Sequence, residues 1–152
     1  MKHLIWKFVL PATVITFSIY SKWWYVLPVD APDIMMSGFP FIWIGEGWHT
    51  SMSLQIFVTE FILNLLVYFL FWSFIVFITN RFIIKIKVPK FLTILLYSIT
   101  GVICLGALWI GTMPEQVYKT KRDFDIEVLA TGYKFIWQHQ DRPKYEEYKP
   151  TK

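Results

Sequence analysis

The sequence predicts an all-α membrane protein with three transmembrane helices. Two long apolar segments, residues 54–79 and 91–113, stand on either side of a short basic segment, RFIIKIKVPK. Each is long enough to cross a bilayer core of roughly 30 Å, which takes about 20 helical residues. With 20% aromatic residues and a mean hydropathy of +0.44, the chain has too little polar surface to bury both helices in a soluble protein.

A third span is predicted at residues 4–20, which is near the lower length limit for a transmembrane helix. Lys7 lies near the end of this segment and can extend its charged group to the lipid headgroups. A cleaved signal peptide is the alternative, but Tyr20 and Trp23 crowd the region around Lys22 and leave no good small-residue cleavage site. We therefore expect a retained N-terminal anchor.

Charge sets the predicted orientation of these spans. The segment 80–90 carries only basic charge, whereas the segment 21–52 carries three acidic residues against one lysine. Short loops rich in Lys and Arg stay on the cytoplasmic side. The sequence therefore predicts a plasma or bacterial inner membrane protein with its N-terminus and residues 80–90 inside and residues 21–52 and 114–152 outside. The net charge of +4 reports this topology, and no nucleic-acid partner is predicted.

The predicted outer loop, residues 21–52, is rich in Trp, Phe, Pro and Gly. Its prolines and glycines interrupt any long helix, and its tryptophans suit the membrane–water interface. We interpret it as an ordered loop on the outer face, either an aromatic belt that anchors the spans or a docking surface for a partner. The outer-face interaction residues predicted here and in the tail are Trp43, Trp48, His49, Tyr133, Phe135 and Trp137.

A cluster of polar residues lies at the start of the second predicted span: Gln55, Thr59, Glu60 and Asn64. Glu60 and Asn64 are four residues apart and therefore share one helix face. An ionisable residue inside a span is costly and usually faces protein or water. Glu60 lies only about 9 Å into the span, in the outer leaflet. We interpret the cluster first as a hydrogen-bonded contact between helices, with proton handling as the alternative.

The span at residues 91–113 carries small residues along one face, at alternating spacings of four and three. Small side chains let membrane helices approach closely. This face is predicted to pack against the Glu60–Asn64 side of the neighbouring helix or against another subunit. The short loop at 80–90 predicts that the two spans form an antiparallel hairpin. The predicted packing residues are Thr100, Cys104, Ala107 and Gly111.

No metal or cofactor is predicted. Cys104 is the single cysteine, which excludes an internal disulfide and a cysteine-based metal site. Glu46 and His49 are three residues apart, and His139 lies in the tail. Histidines beside aromatic, interfacial sequence are more often hydrogen-bonded structural residues than metal ligands, so we interpret these residues as structural.

The tail, residues 114–152, contains two short segments of alternating apolar and polar residues, around 124–128 and 133–137. Thr131 and Gly132 lie between them as a turn or a bulge, and the pattern predicts a β-hairpin. An isolated hairpin is only marginally stable in water. The tail is therefore expected to pack on the outer loop or on a partner.

The tail motif VLATGYKFIW follows a predicted helical hairpin and resembles the strand after the hairpin of cytochrome c oxidase subunit II, typically G-H-Q-W-x-W. Gly132, Phe135 and Trp137 match that pattern in kind, whereas Tyr133 and Lys134 stand where the family has His and Gln. The resemblance covers under a third of the chain. The family's next domain binds copper through Cys and His, and this tail has no cysteine. The resemblance therefore implies a similar topology without a copper site.

These observations predict a small multi-pass membrane protein that acts as an accessory or scaffold subunit of a larger membrane complex. Its partners would be the lipid bilayer and other membrane subunits or copies of itself. The alternative is a subunit that handles protons, electrons or a lipid-like substrate through Glu60 and the outer loop. No nucleophile–base pair or metal set is visible in the sequence, so no enzymatic activity of its own is predicted.

Overall fold

The protein is a mixed α/β chain, and the prediction of an all-α, three-span protein is wrong. The computed structural model describes residues 2–29, 32–47, 53–138 and 141–143. The chain divides into two compact units. The helical unit comprises Met1–Ile19 and Leu65–Met113, and the sheet unit comprises Tyr20–Asn64 and Pro114–Lys152. A six-stranded mixed sheet forms the second unit.

The helices begin with a segment of α1 (Lys2–Leu4), a π-helical turn (Ile5–Val9) and α2 (Leu10–Ile19). The others are α3 (Val58–Ile78), which continues through a second π-helical turn (Thr79–Ile83), and α4 (Lys90–Gly111). Within the described residues, two helices are long and apolar enough to cross a membrane, Val58–Ile83 and Lys90–Gly111. The chain enters α3 inside the sheet unit and passes into the helical unit at Leu65.

The third predicted span, residues 4–20, is not among these two helices. The helix there ends at Ile19, and Tyr20 already begins a strand. This segment is less apolar than α3 because it carries Lys7 and several hydroxyl side chains. Thr13 and Thr16 donate hydrogen bonds to the carbonyls of the preceding helical turn, at 2.8 and 2.7 Å.

The N-terminal helical segment contacts both α3 and α4 in the helical unit. The indole N–H of Trp72 on α3 donates to Thr16 Oγ1 at 3.1 Å, and the Phe17 and Tyr68 rings meet edge to face at 5.7 Å. On α4, the Tyr97 hydroxyl donates to the Trp6 carbonyl at 2.6 Å. These contacts bury apolar and hydroxyl side chains along the N-terminal segment.

The sheet joins the predicted outer loop to the predicted tail. Its strands are β1 (Tyr20–Pro28), β2 (Ile34–Ser37), β3 (Ile44–Glu46), β4 (Leu54–Phe57), β5 (Val117–Lys119) and β6 (Ile126–Phe135). They are ordered β5-β4-β3-β2-β1-β6. Neighbours pair antiparallel except β4 and β5, which pair parallel. Residues 54–57, which were assigned to a span, are therefore a strand, and α3 begins at Val58.

The predicted tail hairpin is also wrong, because β6 runs without a turn through Thr131 and Gly132. It pairs antiparallel with β1, and one residue of β6, Leu129, bulges out of the ladder. Gly132 lies opposite Trp23 on β1, and a Cβ at Gly132 would lie 2.6 Å from the Trp23 Nε1 atom. Glycine here accommodates the Trp23 indole.

The core of the sheet unit lies on one face of the sheet. It consists of Val26, Ile34, Met36, Ile42 and Phe57, with Trp24, Phe124 and Ile126 packed against them. Each of the five is less than a tenth exposed. Burial of such side chains contributes on the order of 1.5–3 kcal/mol each, so this core helps to stabilise the short strands β2 and β4.

Candidate functional site

Five aromatic side chains converge on one end of the sheet, and we call them the aromatic cluster: Tyr20, Phe39, Tyr133, Phe135 and Trp137. The Tyr20 and Tyr133 rings stack at 5.7 Å. Phe39 meets the same two rings edge on, at 6.2 and 5.6 Å. Phe135 lies 5.5 Å from Tyr20 and stacks on Trp137 at 4.9 Å. Such ring pairs stabilise a specific arrangement by more than the burial of their surface area alone would.

The register of β1 and β6 produces this cluster. Tyr20 pairs with Phe135, and Lys22 pairs with Tyr133. Residues two apart on a strand share a face of the sheet, so these four side chains lie side by side. Desolvation, together with the neighbouring Tyr133, raises the pKa of Tyr20 above its ordinary value. The outer part of the cluster is open to the surroundings, since Tyr133 is 55% and Trp137 is 69% exposed.

Lys22 adds a positive charge to this face. Its Nζ atom lies 3.6 Å from the centre of the Trp24 ring and 5.8 Å from that of Tyr133. The ring faces attract the ammonium group. The indole N–H of Trp24 donates to the Gly38 carbonyl at 2.9 Å, which fixes the ring beneath the lysine. The site can therefore present flat apolar rings beside a cation.

The loop at residues 38–43, between β2 and β3, is held by side chains from outside it. Gly38 has a φ of +148°, which favours glycine, and a Cβ there would collide with the Phe41 carbonyl. Asn64 on α3 is 0% exposed. Its Oδ1 accepts the Phe41 N–H at 2.9 Å, and its Nδ2 donates to the Phe41 carbonyl at 2.7 Å. One carboxamide thus satisfies both backbone groups of a single loop residue.

The predicted intramembrane cluster is spread over the sheet unit. Gln55 lies in β4 and is buried, and its Oε1 has no hydrogen-bond partner in the described part of the chain. The Thr59 N–H donates to the Thr120 carbonyl at 2.9 Å. Glu60 Oε1 accepts the Arg122 N–H at 3.5 Å, and the buried Oε2 has no partner among the described residues. The hydrogen bonds of Thr59 and Glu60, like those of Asn64, are with loops of the sheet unit.

The predicted packing residues of α4 do not form a buried face within this chain. Thr100 and Gly111 are half-buried, whereas Cys104 and Ala107 are exposed. Thr100 Oγ1 is buried without a hydrogen-bond partner in the residues that the structure describes. The contact that α4 makes through Tyr97 is with the N-terminal segment.

The six predicted outer-face residues fall into three groups. Tyr133, Phe135 and Trp137 belong to the aromatic cluster, whereas Trp43 packs on Phe61 at 5.0 Å. Trp48 and His49 lie outside the described residues, as does His139. In the described ranges no group of three His, Cys, Asp or Glu residues could hold a metal ion.

Sequence reasoning missed Tyr20 and Lys22 as members of this site. The predicted span ends at Tyr20, and Lys22 counts there only towards the charge of the loop. The alternation of Tyr20, Lys22 and Trp24 on one face of a strand is the signal that could have found them.

A second polar site lies on the sheet around Asp33. The Tyr25 hydroxyl donates to Asp33 Oδ2 at 2.7 Å. Arg142 pairs with the same oxygen at 3.0 Å and lies 3.7 Å from Glu46. The Tyr25 hydrogen bond and then the Arg142 contacts lower the pKa of Asp33, against an opposing effect of burial. On the surface, the Lys119 hydrogen bond similarly lowers the pKa of Asp123.

Comparison with protein families, with curated proteins and with solved structures finds no significant match to this chain. The resemblance of the tail to cytochrome c oxidase subunit II therefore gains no support from them.

Proposed function

We propose that the protein is an integral membrane protein that serves as an accessory or scaffold subunit of a larger membrane complex. The observation that carries this proposal is the exposure of its apolar helices. Only 17% of the most apolar part of Val58–Ile83 is buried within the chain, and 0% of the most apolar part of Lys90–Gly111. A core helix of a soluble protein is mostly buried, so these helices need an apolar surrounding from outside the chain, which a bilayer supplies.

The proposed orientation rests on the charge of the loops. The basic segment 80–90 connects the two apolar helices and stays in the cytoplasm. Residues 21–52 and 114–152, which form most of the sheet unit, are then extracytoplasmic. Reporter fusions after Lys90 and after Lys152 test this orientation. Cytoplasmic activity at Lys90 and extracytoplasmic activity at Lys152 are expected, and the reverse pattern refutes it.

The exposed part of the aromatic cluster supports a docking role towards a neighbouring membrane subunit. Tyr and Trp are enriched at the centres of protein interfaces because they bury much area with few rotatable bonds. Tyr133 and Trp137 are more than half exposed on an ordered strand and its extension. Nearby Lys22 adds a charge that an acidic partner residue can pair with.

Purification from native membranes in mild detergent tests the docking role. The protein is expected to elute with one or more other membrane subunits in fixed proportion. Tyr133→Ala and Trp137→Ala should lower that proportion at least about tenfold, as loss of an interface hot spot does. Tyr118→Ala is the matched control, since Tyr118 is 54% exposed on β5 at the opposite edge of the sheet.

An equal loss with the control variant, or a protein that purifies without other subunits, would contradict the proposal.

A second candidate function, proton handling, is favoured by one observation. Glu60 Oε2 is buried without a hydrogen-bond partner among the described residues. An ionisable side chain beside an apolar helix is a recurrent feature of proton-handling membrane proteins.

A further inference from the structure

Within the sheet unit, the loop at residues 38–43 runs beside the first turns of α3. Trp43 packs on Phe61, and the Trp43 carbonyl accepts the Phe57 N–H at 2.8 Å. Further along the helix, Asn64 binds the Phe41 backbone. Asn64 follows Val58, the first residue of α3, by six positions. At a rise of 1.5 Å per residue, Asn64 and the Phe41 backbone that it binds lie about 9 Å from the start of α3.

The side chains at this level are apolar and exposed. Phe41 is 46% exposed, and beside Asn64 on α3 the residues Ile62 and Leu63 are 58% and 39% exposed. No charged residue occurs between Gly38 and Trp43. In water this surface would be unfavourable, whereas the same exposure costs nothing against lipid.

Several backbone groups of the loop are satisfied inside the chain, as entry into an apolar medium requires. Irregular backbone at membrane depth needs internal partners, because each unsatisfied amide group costs several kcal/mol there. Asn64 satisfies both groups of Phe41. The Gly38 N–H donates to the Lys22 carbonyl at 2.9 Å, and the Trp43 N–H donates to the Ser37 carbonyl at 3.1 Å. Pro40 has no N–H to satisfy.

The base of the loop has the composition of a membrane–water boundary. At its Gly38 end, the loop is hydrogen-bonded to the backbone carbonyl of Lys22 and to the Trp24 indole. Lysine and aromatic residues with one polar atom are favoured at the headgroup level. Polar and cationic groups therefore stand at the base, and the apolar Phe41 ring stands at the tip.

We propose that the loop at residues 38–43 is a membrane wedge whose Phe41 side chain enters the outer leaflet beside α3. The occupant of its exposed face is phospholipid. Asn64 is the positioning residue for this insertion. It lowers the free-energy cost of insertion because its carboxamide replaces the water that would otherwise solvate the Phe41 backbone. The inference rests on the proposed function, since α3 must cross the bilayer for the loop to reach lipid.

The test measures depth in the bilayer with spin labels. The background is Cys104→Ala, and the label is placed at Phe41→Cys. Asn64 binds the backbone of residue 41 and not its ring, so the substitution leaves the clamp in place. The labelled protein is reconstituted into phosphatidylethanolamine–phosphatidylglycerol vesicles. Power-saturation spectra then compare collisions with oxygen, which concentrates in lipid, and with a water-soluble nickel chelate.

Two control positions define the scale. Leu66→Cys reports the lipid-facing side of α3, where Leu66 is 49% exposed. Glu127→Cys reports an exposed position on β6. The oxygen-to-nickel ratio at Phe41 is expected to approach that at Leu66 and to exceed that at Glu127 several-fold.

The outcomes separate the wedge from the proposed function. A ratio at Phe41 equal to that at Glu127, with Leu66 in lipid, overturns the wedge and leaves the span. Low collision with both reagents at Phe41 also overturns it and indicates a protein occupant. A water-like ratio at Leu66 refutes the membrane-spanning helix itself.

Discussion

The Asn64 carboxamide is predicted to be the main restraint on the loop at residues 38–43. The substitution Asn64→Leu keeps the approximate size of the side chain and removes both of its hydrogen bonds to Phe41, at 2.9 and 2.7 Å. The leucine cannot accept or donate, so the Phe41 N–H and carbonyl lose their partners in a partly buried position.

The expected cost follows from these two bonds. Leaving a fully buried polar group unpaired costs about 1–3 kcal/mol. The two Phe41 groups are only partly buried, so the lower end applies and the pair is worth roughly 2 kcal/mol. A difference of about 1.4 kcal/mol is tenfold in an equilibrium. The open form of the loop should therefore become at least about 30-fold more populated in the Asn64→Leu protein.

Limited proteolysis in mild detergent measures that population. Chymotrypsin cleaves after aromatic residues, and Phe41 is followed by Ile42. When opening and closing are fast compared with cleavage, the cleavage rate tracks the population of the open form. The rate of cleavage after Phe41 should rise about 30-fold or more, and mass spectrometry identifies the fragment ends.

The matched control is Asn80→Leu. Asn80 Oδ1 accepts a single hydrogen bond from the Ile86 N–H at 3.1 Å, away from the loop. This variant should leave cleavage after Phe41 unchanged. If Asn64→Leu is cleaved there no faster than the parent protein, the carboxamide does not restrain the loop and the reasoning fails.

Three further predictions concern the sheet unit. Gly132→Ala places a methyl group 2.6 Å from Trp23 Nε1, so it should lower the free energy of unfolding by about 1–3 kcal/mol. Adding Trp23→Ala removes the clash and should recover part of that loss, as measured by thermal unfolding. If nothing is recovered, the loss has another cause. Asp33 has a lowered pKa, so its stabilising contribution is present above the unfolded-state pKa and is lost as pH falls below about 4. Tyr25→Phe should move that loss to higher pH in unfolding followed by circular dichroism, and an unchanged pH profile would contradict it. Glu60→Gln should leave complex assembly nearly intact because the amide still hydrogen-bonds; loss of the complex's activity with assembly preserved would favour proton handling.

The helices could be predicted from the sequence because their signal is local. The structure places α3 with its π-helical extension at Val58–Ile83 and α4 at Lys90–Gly111, within a few residues of the predicted segments 54–79 and 91–113. Apolar composition over about 20 residues is read without knowing what the helix contacts. The predicted N-terminal span failed where the composition is mixed, since Lys7 and hydroxyl residues interrupt it.

The sheet could not be predicted in the same way because it depends on distant partners. β1 and β6 are separated by about a hundred residues of sequence, and neither is a sheet alone. The burial of β1 does not alternate either, since the consecutive residues Tyr25 and Val26 are both fully buried. An apolar run without alternation reads as an interfacial segment.

The candidate site likewise combines features that are local in the sequence with features that depend on distant partners. That Asn64 and Glu60 share one face of a helix follows from the sequence alone, because the 3.6-residue period places positions four apart together. Long-range folding is needed to bring this face to the loop at residues 38–43 and to the Arg122 backbone. It also decided that Tyr20 stacks on Tyr133. A helix or strand period specifies which side chains point the same way, and the partner they meet is chosen by long-range pairing and burial.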